Sequence, residues 1–262
     1  MSTEKSFLSF VVLLLLCLPF GSTAPSRPTA SSDNIYYLSL GDSFAAGVKP
    51  IAPNETITPA YSYADALYEL LLLKKDYNNL KLIKYGCSGA TSDDIVSLDK
   101  CNQENPKYSQ LDQVINFMKS NRGLVKFVTI NIGVNDFHRY RNDKDIDGCF
   151  SKILKNISNN LTDIIIPKLK EAGGEGVRYA ASTYFQRSTN DLDDLLVKIY
   201  SENGFRVADI RSVFGTNGDP AEFKRRVCLY TNSCNKHNNS HPNVEGSRAI
   251  GSEYDKELGP FD

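Results

Sequence analysis

A serine, a histidine, a glycine and an asparagine, far apart along a chain of 262 residues, have the types that acyl transfer requires. That reaction uses a hydroxyl nucleophile, a base to take its proton, and N–H groups aimed at the developing oxyanion. Ser43 stands in Gly41-Asp42-Ser43-Phe44-Ala45-Ala46-Gly47, Gly89 in Gly86-Cys87-Ser88-Gly89-Ala90-Thr91, Asn135 in Gly133-Val134-Asn135-Asp136, and His241 in His241-Pro242-Asn243. Ser43 fits the nucleophile and His241 the base. The Ser43 and Gly89 backbone N–H groups and the Asn135 side-chain amide fit the oxyanion donors. Glycine at position 89 lets backbone approach a substrate closely, and Asn supplies a neutral donor. This chemistry requires no cofactor and no metal.

The elements that would position these groups are legible in the hydrophobic pattern. Apolar, branched or aromatic runs at residues 35–40, 80–85, 124–132, 176–182 and 205–210 read as strands. Between and after them, residues 62–75, 109–120, 150–171, 192–203 and 244–258 carry apolar residues at helical spacing. Strand alternating with helix predicts a parallel sheet covered on both faces. Ser43, Gly89 and Asn135 then follow the first three strands and converge at their carboxyl ends, where open α/β sheets bind ligands. Pro167 is expected to kink or end the third helical segment. Residues 49–60 and 213–240 read as long loops and as walls of a cleft.

The ordered set of four signatures resembles that of the SGNH (GDSL) hydrolases over nearly the whole mature chain. Ser43 matches the block I serine, Gly89 the block II glycine, Asn135 the block III asparagine and His241 the block V histidine. More narrowly, Cys87-Ser88-Gly89-Ala90-Thr91 and Asn131-Ile132-Gly133-Val134-Asn135-Asp136-Phe137 are similar to the secreted, disulfide-containing branch that includes the Streptomyces scabies esterase and its fungal relatives. The resemblance implies a flavodoxin-like three-layer α/β/α sandwich with a parallel five-stranded sheet, and hydrolysis of carboxylic esters of lipid, polyester or acetylated carbohydrate. One position departs from the pattern: the family carries Asp three residues before the histidine, and here Asn238 stands there. Its carbonyl oxygen could accept from His241 Nδ1–H, or a main-chain carbonyl could do so.

Competing assignments attach to the same residues. Gly86-Cys87-Ser88-Gly89-Ala90 nearly matches the nucleophile elbow of α/β-hydrolases, with Ala in the fifth position. Cys228, Cys234, His237 and His241 could be drawn as a zinc cluster. A catalytically silent binding protein on the same fold is the alternative that the missing Asp suggests. Asp42 and Asp136 read as braces of the serine and asparagine loops, Asp209 as a helix cap or a residue facing the site, and Tyr61, Tyr63, Tyr184 and Tyr230 as candidate groove residues.

The ends and composition bound the rest. Residues 7–20 are almost wholly apolar, preceded by Lys5 and followed by small residues, so residues 1–24 read as a secretory signal peptide and 25–33 as a flexible tail. The apolar run is shorter than the ~20 residues of a membrane span, so no stable anchor is expected. Residues 34–262 are one expected domain, and a monomer is the expected state. With 30 basic and 31 acidic residues and no basic run, nothing favours nucleic acid. In an oxidising compartment the loops Cys87 to Cys101 and Cys228 to Cys234 could each close a disulfide, leaving Cys149 over; the pairing stays open. Sequons begin at Asn54, Asn156, Asn160 and Asn238.

Overall fold

The structure, a computed structural model, describes residues 34–52, 55–97, 108–140 and 146–259. The segments expected as signal peptide and tail, Asn54 and Cys101 lie outside them. In chain order the elements are β1 (Ile35–Gly41), α1 (Ser43–Ala46), the hairpin β2 (Lys49–Ala52) and β3 (Glu55–Ile57), α2 (Tyr63–Leu72), β4 (Leu80–Lys84), α3 (Ser92–Val96), α4 (Gln110–Ser120) and β5 (Val125–Asn131). A 3-10 turn over Val134–Tyr140 leads into α5 (Ile146–Asn159), a π-helical segment (Asn160–Ile165) and α6 (Ile166–Gly173). Then come β6 (Arg178–Ser182), α7 (Asn190–Glu202), β7 (Arg206–Ala208), α8 (Ile210–Phe214), α9 (Pro220–Tyr230), β8 (Thr231–Asn232), β9 (Asn239–Pro242) and α10 (Val244–Leu258).

All five expected strands form, in the order β4-β1-β5-β6-β7, and every pairing is parallel. Two faces of the central strands are buried, as a parallel sheet between helical layers demands. On one face Tyr37, Ser39 and Thr129 meet Tyr63 of α2: Tyr37 Oη lies 2.8 Å from Thr129 Oγ1, and Tyr63 Oη donates to the same oxygen at 3.3 Å. Tyr63 in turn stacks on Tyr254 of α10, ring centroids 4.5 Å apart, so α2 and α10 cover that face. The alternate residue Tyr36 points the other way, edge-on to Phe117 of α4, which packs against α6. Leu38, Leu40, Val128 and Ile130 are fully buried. Each such side chain contributes about 1.5–3 kcal/mol relative to exposure.

Hydrophobic periodicity located α2, α4, α7 and α10; α2, α4 and α10 begin on or next to the expected residue, and α7 begins two residues before it. Ser62 and Ser109 cap α2 and α4 with complete capping boxes, closed by Asp65 and Asp112. Pro167 does not end its helix. Where its ring would crowd the carbonyl one turn back, the winding loosens to the π form, with Ile166 N–H donating to Leu161 O, and α6 continues with proline in its first turn. The two expected loops contain structure: β2 and β3 in the first, α9 and β8 in the second.

Candidate active site

Ser43 is the first residue of α1, directly after β1. Gly41 ends the strand with φ +133°, and a Cβ there would collide with the Asn131 carbonyl oxygen, so only glycine allows β1 to run flush against β5 up to the serine. The corner is fixed from both sides. Asp42 N–H donates to Asn131 O at 3.0 Å, and Cys87 N–H donates to Gly41 O at 2.9 Å. The buried Gln110 side chain clamps Gly41, its Oε1 accepting from Gly41 N at 2.6 Å and its Nε2 donating to Gly41 O at 3.1 Å. Asp42, with no exposed surface, caps α1 by accepting from Phe44 N at 2.9 Å, and its other oxygen accepts from Tyr184 Oη at 2.6 Å. Burial pushes its carboxyl up to about 7, against the pull of Tyr184 and Phe44 N–H. Asp42 is thus the brace that the sequence suggests. Ser43 N–H, at the helix start, has no intrahelical acceptor and is available as a donor.

His241 lies on β9, which pairs with β8; Asn232 Nδ2 donates to His241 O at 3.2 Å. Its imidazole meets not Asn238 but Asn239. Asn239 Oδ1 accepts from His241 N at 2.9 Å and lies 2.7 Å from His241 Nδ1. A main-chain N–H can only donate, so the Asn239 atom is the oxygen. Nδ1 facing that oxygen then carries its proton, which leaves the lone pair on Nε2. The offset has a simple cause: on an extended strand, side chains two apart share a face and those three apart do not. Asn238 is exposed, with φ +45°, outside the strand. Burial lowers the His241 pKa and favours the neutral ring that a base needs. Phe44 sets its ring edge-on to His241 at 6.5 Å between centroids and packs on its other flanks against Tyr184 and Phe185. The His241 imidazole is thereby placed beside the residue that follows Ser43. Among the described residues no hydrogen bond joins the Ser43 hydroxyl to His241; such bonds commonly tighten only when substrate is bound.

The two other candidate donors stand in the turns that follow β4 and β5. Gly89 sits exposed in the turn after β4 with φ +77°, a conformation that glycine adopts freely. Asn135 follows β5, and its Nδ2 donates to Ala90 O at 3.0 Å, which fixes the amide and leaves a second N–H on the same nitrogen. The Asn135 and Gly89 loops are tied together by Asp136, which accepts from Ser92 N at 2.9 Å and Ser92 Oγ at 2.6 Å.

Several competing assignments are decided by position. Ser88 stands in the turn between β4 and α3, whereas an elbow serine opens a helix, as Ser43 does. Cys228 and Cys234 form a disulfide, so neither sulfur is a thiolate ligand for the cluster drawn with His237 and His241. Cys87 is also disulfide-bonded. Asp209 caps α8, accepting from Arg211 N at 3.2 Å. Tyr184 is fully buried against Asp42 and is not a groove residue. Tyr63, also buried, and Tyr61 line a cavity of about 10 Å³ beside Ser43 with Pro242 and Ile250. A cavity of about 510 Å³ lies at the amino ends of β6 and β7, lined by Arg178 and Arg206, at the opposite edge of the sheet from these residues. Asn239 and Gln110 are contributors that the sequence did not single out, and Tyr184, expected in the groove, instead braces Asp42. Only Asn239 had a signal, the two-residue period of a strand.

Comparison with solved structures places this arrangement among known folds. An acetylxylan esterase from Geobacillus stearothermophilus superposes with a TM-score of 0.55 at 17% identity, covering 87% of this chain and 95% of that one. An α/β hydrolase enzyme from the metagenome of Lake Arreo, Spain, does so with a TM-score of 0.53 at 18% identity, covering 87% and 97%. At these identities the likeness establishes the three-layer fold. A comparison with curated proteins gives no match. The model of the GDSL-like Lipase/Acylhydrolase family matches residues 39–249, from the strand before Ser43 to the helix after His241. The chain therefore belongs to the GDSL-like lipase/acylhydrolase family and is an ester hydrolase of that serine type.

Proposed function

We propose that Ser43 and His241 form a catalytic dyad in an exported carboxylic ester hydrolase. His241 Nε2 takes the Ser43 proton as Oγ attacks the ester carbonyl, and the same nitrogen returns it to the leaving alcohol. Ser43 N–H, Gly89 N–H and Asn135 Nδ2 hold the oxyanion, and a water activated by His241 then releases the acid. Asn239, whose neutral side-chain carbonyl accepts from Nδ1–H and orients the ring, stands in for the absent carboxylate. The observation that carries this reading is the double acceptance by Asn239 Oδ1, which fixes His241 in the tautomer that presents a base.

Export is supported by the apolar leader and by the Cys228–Cys234 disulfide, which favours an oxidising compartment. The bonded Cys87 also supports the narrower likeness to the disulfide-containing branch. Among lipid, polyester and acetylated carbohydrate esters, the fold likeness to an acetylxylan esterase makes acetyl esters the first class to assay. A p-nitrophenyl ester series with acyl chains from two to twelve carbons tests the reading. Turnover of some member that is lost in Ser43→Ala and kept in Ser88→Ala supports it. A folded protein that turns over none would instead be a silent binder on this fold.

A further inference from the structure

The chain carries four Asn-x-Ser/Thr acceptor motifs, and the described structure separates three of them by the fate of one atom, the Asn Nδ2 to which a sugar would be joined. Asn160 is buried in the π-helical segment, 7% exposed, with Nδ2 donating to Ser92 Oγ at 2.9 Å and Asp93 Oδ1 at 2.7 Å. Asn156, one turn earlier on α5, donates Nδ2 to the same Asp93 oxygen at 2.9 Å. These bonds tie α5 and the π segment to α3, beside the Asp136 link that orders the Asn135 loop. A glycan on Asn160 has no room in the folded protein, and one on Asn156 breaks its bond to Asp93. Asn54 lies outside the described residues.

Asn238 differs in every respect. It is exposed and non-helical, and its side chain makes no hydrogen bond among the described residues. Its N–H donates to Asn235 O at 3.1 Å, closing a turn between the Cys228–Cys234 disulfide and β9. Ser240, the hydroxyl residue of the motif, is exposed as well. A role in orienting His241 would have required Asn238 to pack inward, but Asn239 holds that imidazole, so modification of Asn238 leaves the histidine contacts intact.

We infer that Asn238 is an N-glycosylation site at the rim of the active site, and that Asn156 and Asn160 are structural residues despite their sequons. The inference rests on the export reading above. In the reaction Asn238 Nδ2 bonds to C1 of a lipid-linked oligosaccharide as the C1–O bond to the lipid pyrophosphate breaks; the pyrophosphate leaves and one amide proton is lost. The glycan then stands three residues from His241, on the exposed residue that precedes β9.

The test is secretion of the full chain from a eukaryotic host, followed by glycosidase release in heavy-oxygen water and peptide mapping. Conversion of Asn238 to Asp carrying the heavy oxygen, with Asn156 and Asn160 unconverted, is the expected result. Secreted protein with Asn238 unmodified, or with Asn160 modified, overturns the inference and leaves the dyad untouched. Failure of the chain to leave the cell overturns the export reading and this inference with it. Ser240→Ala, which removes the motif without touching Asn239, should abolish the modification and change kcat/KM on a small soluble ester by no more than about twofold, as expected of an exposed substitution. A loss of tenfold or more with intact folding would instead give this turn a direct role in catalysis.

Discussion

Replacing Asn239 with Ala removes one oxygen that receives two donors, His241 N at 2.9 Å and His241 Nδ1 at 2.7 Å. The imidazole N–H then faces no acceptor in a largely buried setting, a cost of about 1–3 kcal/mol. If that cost falls on the tautomer or pose needed for attack, kcat drops by roughly 5- to 150-fold, since 1.4 kcal/mol is a factor of about ten. The ceiling is the loss of about 10⁴ seen when a serine protease histidine is held in the wrong tautomer. Asn239→Asp keeps the acceptor and adds a charge that stabilises the imidazolium. It should retain or raise kcat and move the acid limb of the pH–rate profile to higher pH, because an adjacent carboxylate raises a histidine pKa. Asn238→Ala should leave kcat within about twofold, because the residue is exposed. The assay is initial rates on a p-nitrophenyl ester from pH 5 to 9, with thermal melts to confirm folding. If Asn239→Ala were as active as wild type, or if Asn238→Ala lost as much, the orientation argument would fail.

Tyr184→Phe leaves Asp42 Oδ2 without its donor at a fully buried site, at a cost of about 1–3 kcal/mol. For a domain of this size that lowers Tm by roughly 3–10 °C in calorimetry, and an unchanged Tm would show that the bond carries no net stability. The pH dependence of stability has a definite sign. Burial pushes both Asp42 and Asp193 up to about 7. In the unfolded chain they titrate near 3.9, so between about pH 4 and 7 the folded state retains protons that the unfolded state has released, and their contribution to stability falls as pH rises. Asp193→Asn should therefore gain on wild type across that window in urea titrations, and a difference that stays constant with pH contradicts the assignment.

Much of this molecule was legible because its signals are local and periodic. Five buried runs gave five parallel strands, and capped amphipathic segments gave α2, α4 and α10. Ser43, Gly89 and Asn135 fall where strand ends had to place them. What escaped the sequence depends on the third dimension. Gln110 clamps Gly41 from 69 residues away and Tyr184 reaches Asp42 across 142, and neither distance leaves a trace in spacing. The short helices α1, α3 and α8 have too few residues for a period to emerge, and α9 has no fully buried face to mark it. The family pattern, with its spacing of three, points to Asn238 or else to a main-chain carbonyl, and neither is the partner that His241 meets. The strand containing His241 dictates two.

The central claim is that Ser43 is the nucleophile, and the most direct measurement is to map the site of covalent capture. The protein is treated with a serine-directed phosphonate ester, digested, and the adduct located by mass spectrometry, with Ser43→Ala and His241→Ala in parallel. The account predicts a single adduct on Ser43, absent in Ser43→Ala and formed far more slowly in His241→Ala. An adduct on Ser88, or none on folded protein that still hydrolyses esters, would contradict it.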